Sequence, residues 1–257
     1  MLDSALTEGV SLSVDDRGVA YLTFAHPRSN SLPGAVLAEL AKSVRELGSR
    51  TDVKVVVLGS AGDRAFCAGA SFDELVAISD EEAGLSFFMG FAHVINALRS
   101  IPQLVIGRVQ GKAVGGGVGV AAATDYCLAT QHAAVKLSEL AIGIGPFVVG
   151  PAVERKLGVS AMSQLSMDAT AWRSADWACS RGLYAEVLDD TAALDAAVEA
   201  LAGRLASSNP EAMSALKQVF WSGTEHWDTL LPERAAVSGR LVLSDFTRQA
   251  IARFKAG

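Results

Sequence analysis

Cysteine is scarce. Only Cys67, Cys127 and Cys179 occur, far apart in a chain of 257 residues. Neither a disulfide framework nor zinc-ligand spacing emerges, so a reduced, cytoplasmic compartment is expected. Histidine is almost as rare. His26, His93, His132 and His226 show no metal spacing, and no metal site is expected. There is no basic excess either. A net charge of −6 argues against nucleic acid or an anionic membrane as a partner. Every apolar run is broken by Gly, Pro or charge short of a membrane span. The opening Met1-Leu2-Asp3-Ser4 lacks the basic and apolar regions of a signal peptide. Low-complexity stretches and linkers are absent. What the chain does have is apolar residues, 50% of the total against 19% charged. That suits a globular protein with a large core, organised as one large domain or a core with an appendage.

Strand and helix patterns alternate through the first part. Leu12–Val14 and Val19–Phe24 flank Asp15-Asp16-Arg17-Gly18, which reads as a hairpin. Ser31 is placed to cap a helix whose apolar positions Leu32, Val36, Leu37, Leu40, Val44 and Leu47 recur at helical spacing. Val53–Leu58 reads as a strand buried on both faces. Phe87 to Leu98 marks a second helix, ended before Pro102. Leu104–Val109 is a strand, a Gly-rich turn then opens a third helix over Val118–Ala123, and Tyr126–Ala129 and Val135–Leu137 are extended again. This alternation predicts an α/β fold. After about residue 158 strand signals vanish. Helices are predicted at Ala175–Ser180, Leu194–Ala206, Glu211–Phe220 and, with kinks, Leu231–Phe254. The expected division is a core over 1–195 and a helical region over 196–257.

Three stretches carry chemistry. Gly115-Gly116-Gly117 stands where a helix starts, so its free N–H groups and the helix dipole make an anion site; close helix–strand packing is the other reading. Phe66-Cys67-Ala68-Gly69-Ala70 is a second turn poor in side chains. Glu139 lies among apolar neighbours, before Ile142-Gly143-Ile144-Gly145-Pro146. Burial there would raise its pKa toward that of a general acid or base, whereas an exposed or ion-paired Glu at an element boundary would do neither.

Taken in order, these motifs resemble the crotonase superfamily, the enoyl-CoA hydratase/isomerase family, over essentially the whole chain. Val19–Pro27 is similar to the family's first strand and proline turn, Arg64–Ala70 to its first oxyanion turn, and Val109–Gly119 to its second. Gly182–Val187 resembles a loop that follows. The resemblance implies a ββα-spiral core and a C-terminal helical region that forms a homotrimer, often a hexamer built of two trimers. It implies an acyl-CoA substrate and no separate cofactor, coenzyme A being part of that substrate. It implies that Ala70 and Gly116 N–H hold the thioester oxygen, with Glu139 catalytic. Ala68, Gly69, Gly117, Gly119 and Phe147 would line the substrate site. Arg28 and Lys255 would lie near the coenzyme A phosphates or a neighbour's ligand, or be ordinary surface charges.

The chain also departs from the family pattern. Hydratases with two glutamates carry the first where this chain has Gly119 and the second where it has Glu139. One proton-transfer group is therefore missing, which favours double-bond isomerisation over hydration, and cleavage or decarboxylation of an acyl-CoA would need less still. Bulky Phe147-Val148-Val149 and room at Gly119 suggest a reshaped acyl pocket for a short or branched group. Ser71 and Ser138 are candidates to replace the lost carboxylate, and Ser71 and Asp73 suggest altered contacts on the adenine side. Two other readings compete. A non-catalytic or scaffold protein of the same fold would retain the turns without the chemistry. An NAD-binding oxidoreductase is suggested by Gly117-Val118-Gly119-Val120-Ala121-Ala122, a G-x-G-x-x-A pattern.

Overall fold

The computed structural model describes residues 1–253, and follows the backbone of the last helix to Ala256. Lys255 lies outside the described residues. The central sheet runs β1-β2-β3-β4-β6-β8. β1 (Gly9–Val14) and β2 (Val19–Ala25) form the antiparallel hairpin. Its turn needs Gly18, at φ 84°, and is tied by Asp15 Oδ1, which accepts from both Arg17 N and Val19 N. From β2 onward the sheet is parallel, through β3 (Val55–Ser60), β4 (Leu104–Val109), β6 (Tyr126–Thr130) and β8 (Glu186–Leu188). Parallel neighbours need crossovers. Here α1 (Gly34–Gly48) joins β2 to β3, while α2 (Phe72–Ala77) and α3 (Glu81–Ser100) lie between β3 and β4.

Every residue of β2, β3 and β4 is buried, as expected of strands covered on both faces. The period of two sorts them. Ala20, Leu22, Val56 and Leu58 point into the larger core beneath α1 and α3, with Leu40, Val44, Ile95 and Leu98. Val19, Tyr21, Val55 and Val57 face the opposite way, against Leu194, Val198 and Ala202 of α7 (Thr191–Ala206).

A second, two-stranded sheet pairs β5 (Ala113–Val114) with β7 (Val135–Lys136). α4 (Gly116–Ala122) starts directly after β5, and a 3₁₀ turn at Glu139–Ile142 follows β7. Then come α5 (Gly150–Met167), α6 (Ala175–Ser180), α8 (Pro210–Phe220), α9 (Trp227–Val242) and α10 (Asp245–Ala256).

Several expectations are corrected. Pro33, not Ser31, is the N-cap of α1, and Ser31 Oγ donates instead to Ala70 O at 2.8 Å. Strand signal does not end at residue 158, because β8 adds an edge strand to β6. α5 escaped the periodicity reading because Gly158, at φ 76°, kinks it and shifts its apolar face. The expected helix over Leu231–Phe254 is two helices, broken at Leu243–Ser244. The boundary at 195/196 falls inside α7, a helix packed on β2, β3, β4 and β6. α9 packs along α3.

Candidate active site

Three segments remote in sequence are laced side by side. Phe66 N and Cys67 N both donate to Lys112 O, at 3.0 and 3.3 Å, and Val114 N donates to Cys67 O at 2.9 Å. On the far side of that strand, Ala113 N donates to Ala134 O at 3.0 Å and Gly115 N to Lys136 O at 2.9 Å. Gly111 permits the first contact, since a Cβ there would strike Arg64 O.

The first turn is also held from its outer side. Ala68 N donates to Ser29 O, Leu32 N to Gly69 O and Ser71 N to Leu32 O. Ser29 and Asn30 adopt positive φ, 54° and 56°, a conformation Asn tolerates better than most residues. The Asn30 amide pins the loop by donating to Ala61 O and Ala65 O. With its neighbours so engaged, Ala70 N–H has no acceptor among the described residues.

The second turn ends in Gly115, at φ 52° and ψ −115°, the N-cap of α4. Gly116 N–H, at the helix start, likewise has no acceptor among the described residues, as is usual for the first helical turn. The two turns touch: a Cβ at Gly69 would lie 3.8 Å from Gly116 N. Two free donors therefore stand beside each other, at the dipole-positive end of a helix.

The third segment brings Glu139. A Cβ at Gly115 would fall 2.9 Å from Glu139 Oε1, so the carboxyl rests on the same turn. Its Oε2 is sealed from solvent, without a hydrogen-bond partner among the described residues. Burial pushes its pKa up to about 7, opposed in part by its own backbone N–H. A carboxyl in that range serves as acid or base at neutral pH.

All three groups line a cavity of about 820 Å³. Its apolar wall includes Phe87, Phe88 and Phe91 of α3, Ile142 at the end of the 3₁₀ turn, Ile144 just beyond it, and Phe147 and Val149 ahead of α5. Ala68, Gly69, Ala70, Gly116, Phe147 and Arg28 line it together with Glu139, and Ser71 and Ser138 do so too. Glu139 is the only carboxylate among the described residues lining it. Ser71 caps α2 by accepting from Glu74 N. Arg28 sits at the mouth, exposed and ion-paired with Asp73.

Two of the expected lining residues lie elsewhere. Gly117 is packed on Cys67. Gly119 offers no room, because a Cβ there would lie 2.5 Å from Val149 Cγ1 and 2.6 Å from Val149 Cβ. Both glycines sit inside α4 rather than in a strand-to-helix turn, which removes the geometry a dinucleotide pyrophosphate requires. The sequence reading also missed contributions to the cavity from Phe91 of α3, Ser238 of α9, and Ala250 and Arg253 of α10; no local pattern marks them. Among the described residues no group of three or more His, Cys, Asp or Glu could hold a metal ion. No helix of the described residues is long and apolar enough to cross a membrane.

Comparison with known proteins bears on the family and the fold. The family model described as enoyl-CoA hydratase/isomerase matches residues 15–249. Ethylmalonyl-CoA decarboxylase of Gallus gallus is 30% identical over 61% of this chain and 53% of its own length, so the chain spans about half of that relative. Short-chain-enoyl-CoA hydratase of Clostridium acetobutylicum is 28% identical over 92% of this chain and 90% of its own. Among solved structures, an enoyl-CoA hydratase from Mycobacterium avium superposes with a TM-score of 0.86 at 26% identity, covering 98% of this chain and 97% of the other.

Proposed function

The chain belongs to the enoyl-CoA hydratase/isomerase family, and from that premise we propose that it shifts the double bond of an unsaturated acyl-CoA thioester through an enolate, with Glu139 as the single proton-transfer group. One observation carries this reading: the Glu139 carboxyl, whose buried Oε2 has no hydrogen-bond partner among the described residues, shares a cavity with two neighbouring backbone N–H groups that lack acceptors among those residues.

Ala70 N–H and Gly116 N–H would bind the thioester oxygen and stabilise the negative charge that develops there. Removing one such donor costs about 2.7–4 kcal/mol of transition-state stabilisation in a comparable site. With the oxygen so held, Glu139 takes a proton from C2 and returns it to C4, moving the double bond into conjugation. The apolar wall of Phe87, Phe88, Phe91, Phe147 and Val149 accommodates the acyl chain. Coenzyme A is part of the substrate, and the phosphates would reach the cavity mouth near Arg28, whose charge Asp73 already partly offsets. The same enolate arises if a 2-carboxyacyl thioester loses carbon dioxide, and Glu139 in its acid form could then protonate C2. The decarboxylase among the relatives makes that the second substrate class to test. A homotrimer or a dimer of trimers remains the expected assembly, in keeping with exposed apolar residues such as Val159, Met167, Val219 and Phe246, and the cytoplasm the expected setting.

The deciding experiment offers 3-hexenoyl-CoA, crotonyl-CoA and ethylmalonyl-CoA to wild type and Glu139→Gln, with products identified by NMR and mass. Wild type should isomerise the first, with Glu139→Gln slower by at least ~10²-fold. Equal rates for the two proteins on every substrate consumed would overturn the mechanism.

A further inference from the structure

Two glycines at the start of α4, the N-cap Gly115 and Gly119 within the helix, each leave out a side chain where another segment packs. Gly119 N donates to Gly115 O at 3.3 Å, which puts the two one helical turn apart, about 5–6 Å. Gly115 faces Glu139 and Gly119 faces Val149. The Glu139 carboxyl and the Val149 isopropyl group therefore both pack on the opening turn of α4, and both line the cavity. Val149 is 4% exposed and lines the same cavity. It is held there by the chain's own turn, with Gly150 N donating to Pro146 O at 2.8 Å and Val153 N to Val149 O at 3.1 Å.

We propose that Val149 is the specificity-determining residue of this site: it fills the space over Gly119, in the cavity that Glu139 lines, where a second proton-transfer group or an attacking water would stand, and so directs the enzyme away from hydration. The proposal rests on the acyl-thioester reading given above. Hydration of a 2-enoyl thioester adds a hydroxyl from water to C3 and a proton to C2. One group must take a proton from the water while another delivers one to C2. Isomerisation carries one proton from C2 to C4 and incorporates no water atom, so a single carboxyl suffices. A trapped water also needs two to four polar partners, and a valine side chain offers none. A change at position 119 alone cannot restore hydration, because Val149 occupies the volume the new side chain would enter.

The test compares wild type, Val149→Ala, Gly119→Glu and the double variant Gly119→Glu/Val149→Gly. Three quantities are measured: melting temperature, exchange of the C2 proton of butyryl-CoA in heavy water, and hydration of crotonyl-CoA. Gly119→Glu alone should melt lower than wild type and gain no hydration. The double variant should recover melting temperature relative to Gly119→Glu and hydrate crotonyl-CoA ~10²-fold faster than wild type. Val149→Ala should raise hydration by a smaller factor, and it decides the matter if the double variant does not fold. C2 exchange in wild type without any gain in hydration from removing Val149 overturns the proposal alone. Absence of C2 exchange in wild type overturns the acyl-thioester reading and the proposal with it.

Discussion

The Glu139 carboxyl leans on the Cα of Gly115, so closely that a Cβ at 115 would come within 2.9 Å of Oε1. One glycine thus serves the site twice. Its φ of 52° with ψ of −115° turns the chain into α4, and its missing side chain leaves room for the acid/base group.

Gly115→Ala should therefore damage activity more than stability. The backbone strain costs about 1–3 kcal/mol, and the added methyl must displace Glu139. Isomerisation should fall to near the level of Glu139→Gln, with the protein still folded by circular dichroism. Activity near wild type would mean that Glu139 does not need this position.

The pH dependence of stability follows from the same carboxyl. Its folded-state pKa is raised by burial from 4.5 to about 7. Between those values the folded protein retains a proton that the unfolded chain releases, so stability falls as pH rises and levels off above pH 7. The shift corresponds to about 3 kcal/mol over that window. Denaturation by urea at a series of pH values should show this decline in wild type and its loss in Glu139→Gln. Parallel curves for the two proteins would refute the assignment.

Gly84 and Gly239 set how closely α3 and α9 cross. A Cβ at 84 would lie 2.8 Å from both Gly239 Cα and Gly239 O. Gly84→Ala should destabilise by about 1–3 kcal/mol through overpacking, and should also disturb the cavity, which both helices line. Gly203→Ala is the contrast, because in α7 the new methyl would meet only the end of the flexible Arg17 side chain, at 3.4 Å. There the helix-propensity gain of about 0.5–1 kcal/mol should appear. Opposite signs in urea denaturation are the expected result.

Lys217 and Asp125 form a buried pair, Nζ to Oδ2 at 2.6 Å, with side chains 2% and 4% exposed. The same carboxylate accepts from Trp221 Nε1 and from Val105 N. Burial lowers the Lys217 pKa, and Asp125 acts against that. Removing one partner strands the other, at a cost of about 3–5 kcal/mol. Lys217→Met and Asp125→Ala should each lose that much in chemical denaturation, and the double variant should lose less than their sum. Simple additivity would show that the pair is not coupled.

The sequence by itself determined the parts whose causes are local. Leu104–Val109 is apolar but for Gly107 and Arg108 and is bounded by Pro102 and Gly111, so the strand appears where the apolar run puts it. The hairpin turn at Gly18, the helix of α6 and the two side-chain-poor turns were legible for the same reason: backbone preference and hydrophobic period act within a few residues. Glu139 was legible as a charge among apolar neighbours, though its burial was not.

Tertiary structure alone decided which distant residues meet. The lacing of 66–67 to 112–114, and of 113–115 to 134–136, gathers donors and carboxyl into one cavity, and no local pattern encodes that proximity. The space at position 119 shows the limit most plainly. Sequence reading takes a glycine as open room, whereas the fold fills it with Val149 from the turn before α5. Ser31 likewise looks like a cap until the first turn is brought against it and Ala70 O takes its hydroxyl. The physical reason is common to both: a side chain's partner is set by close packing between segments far apart in the chain.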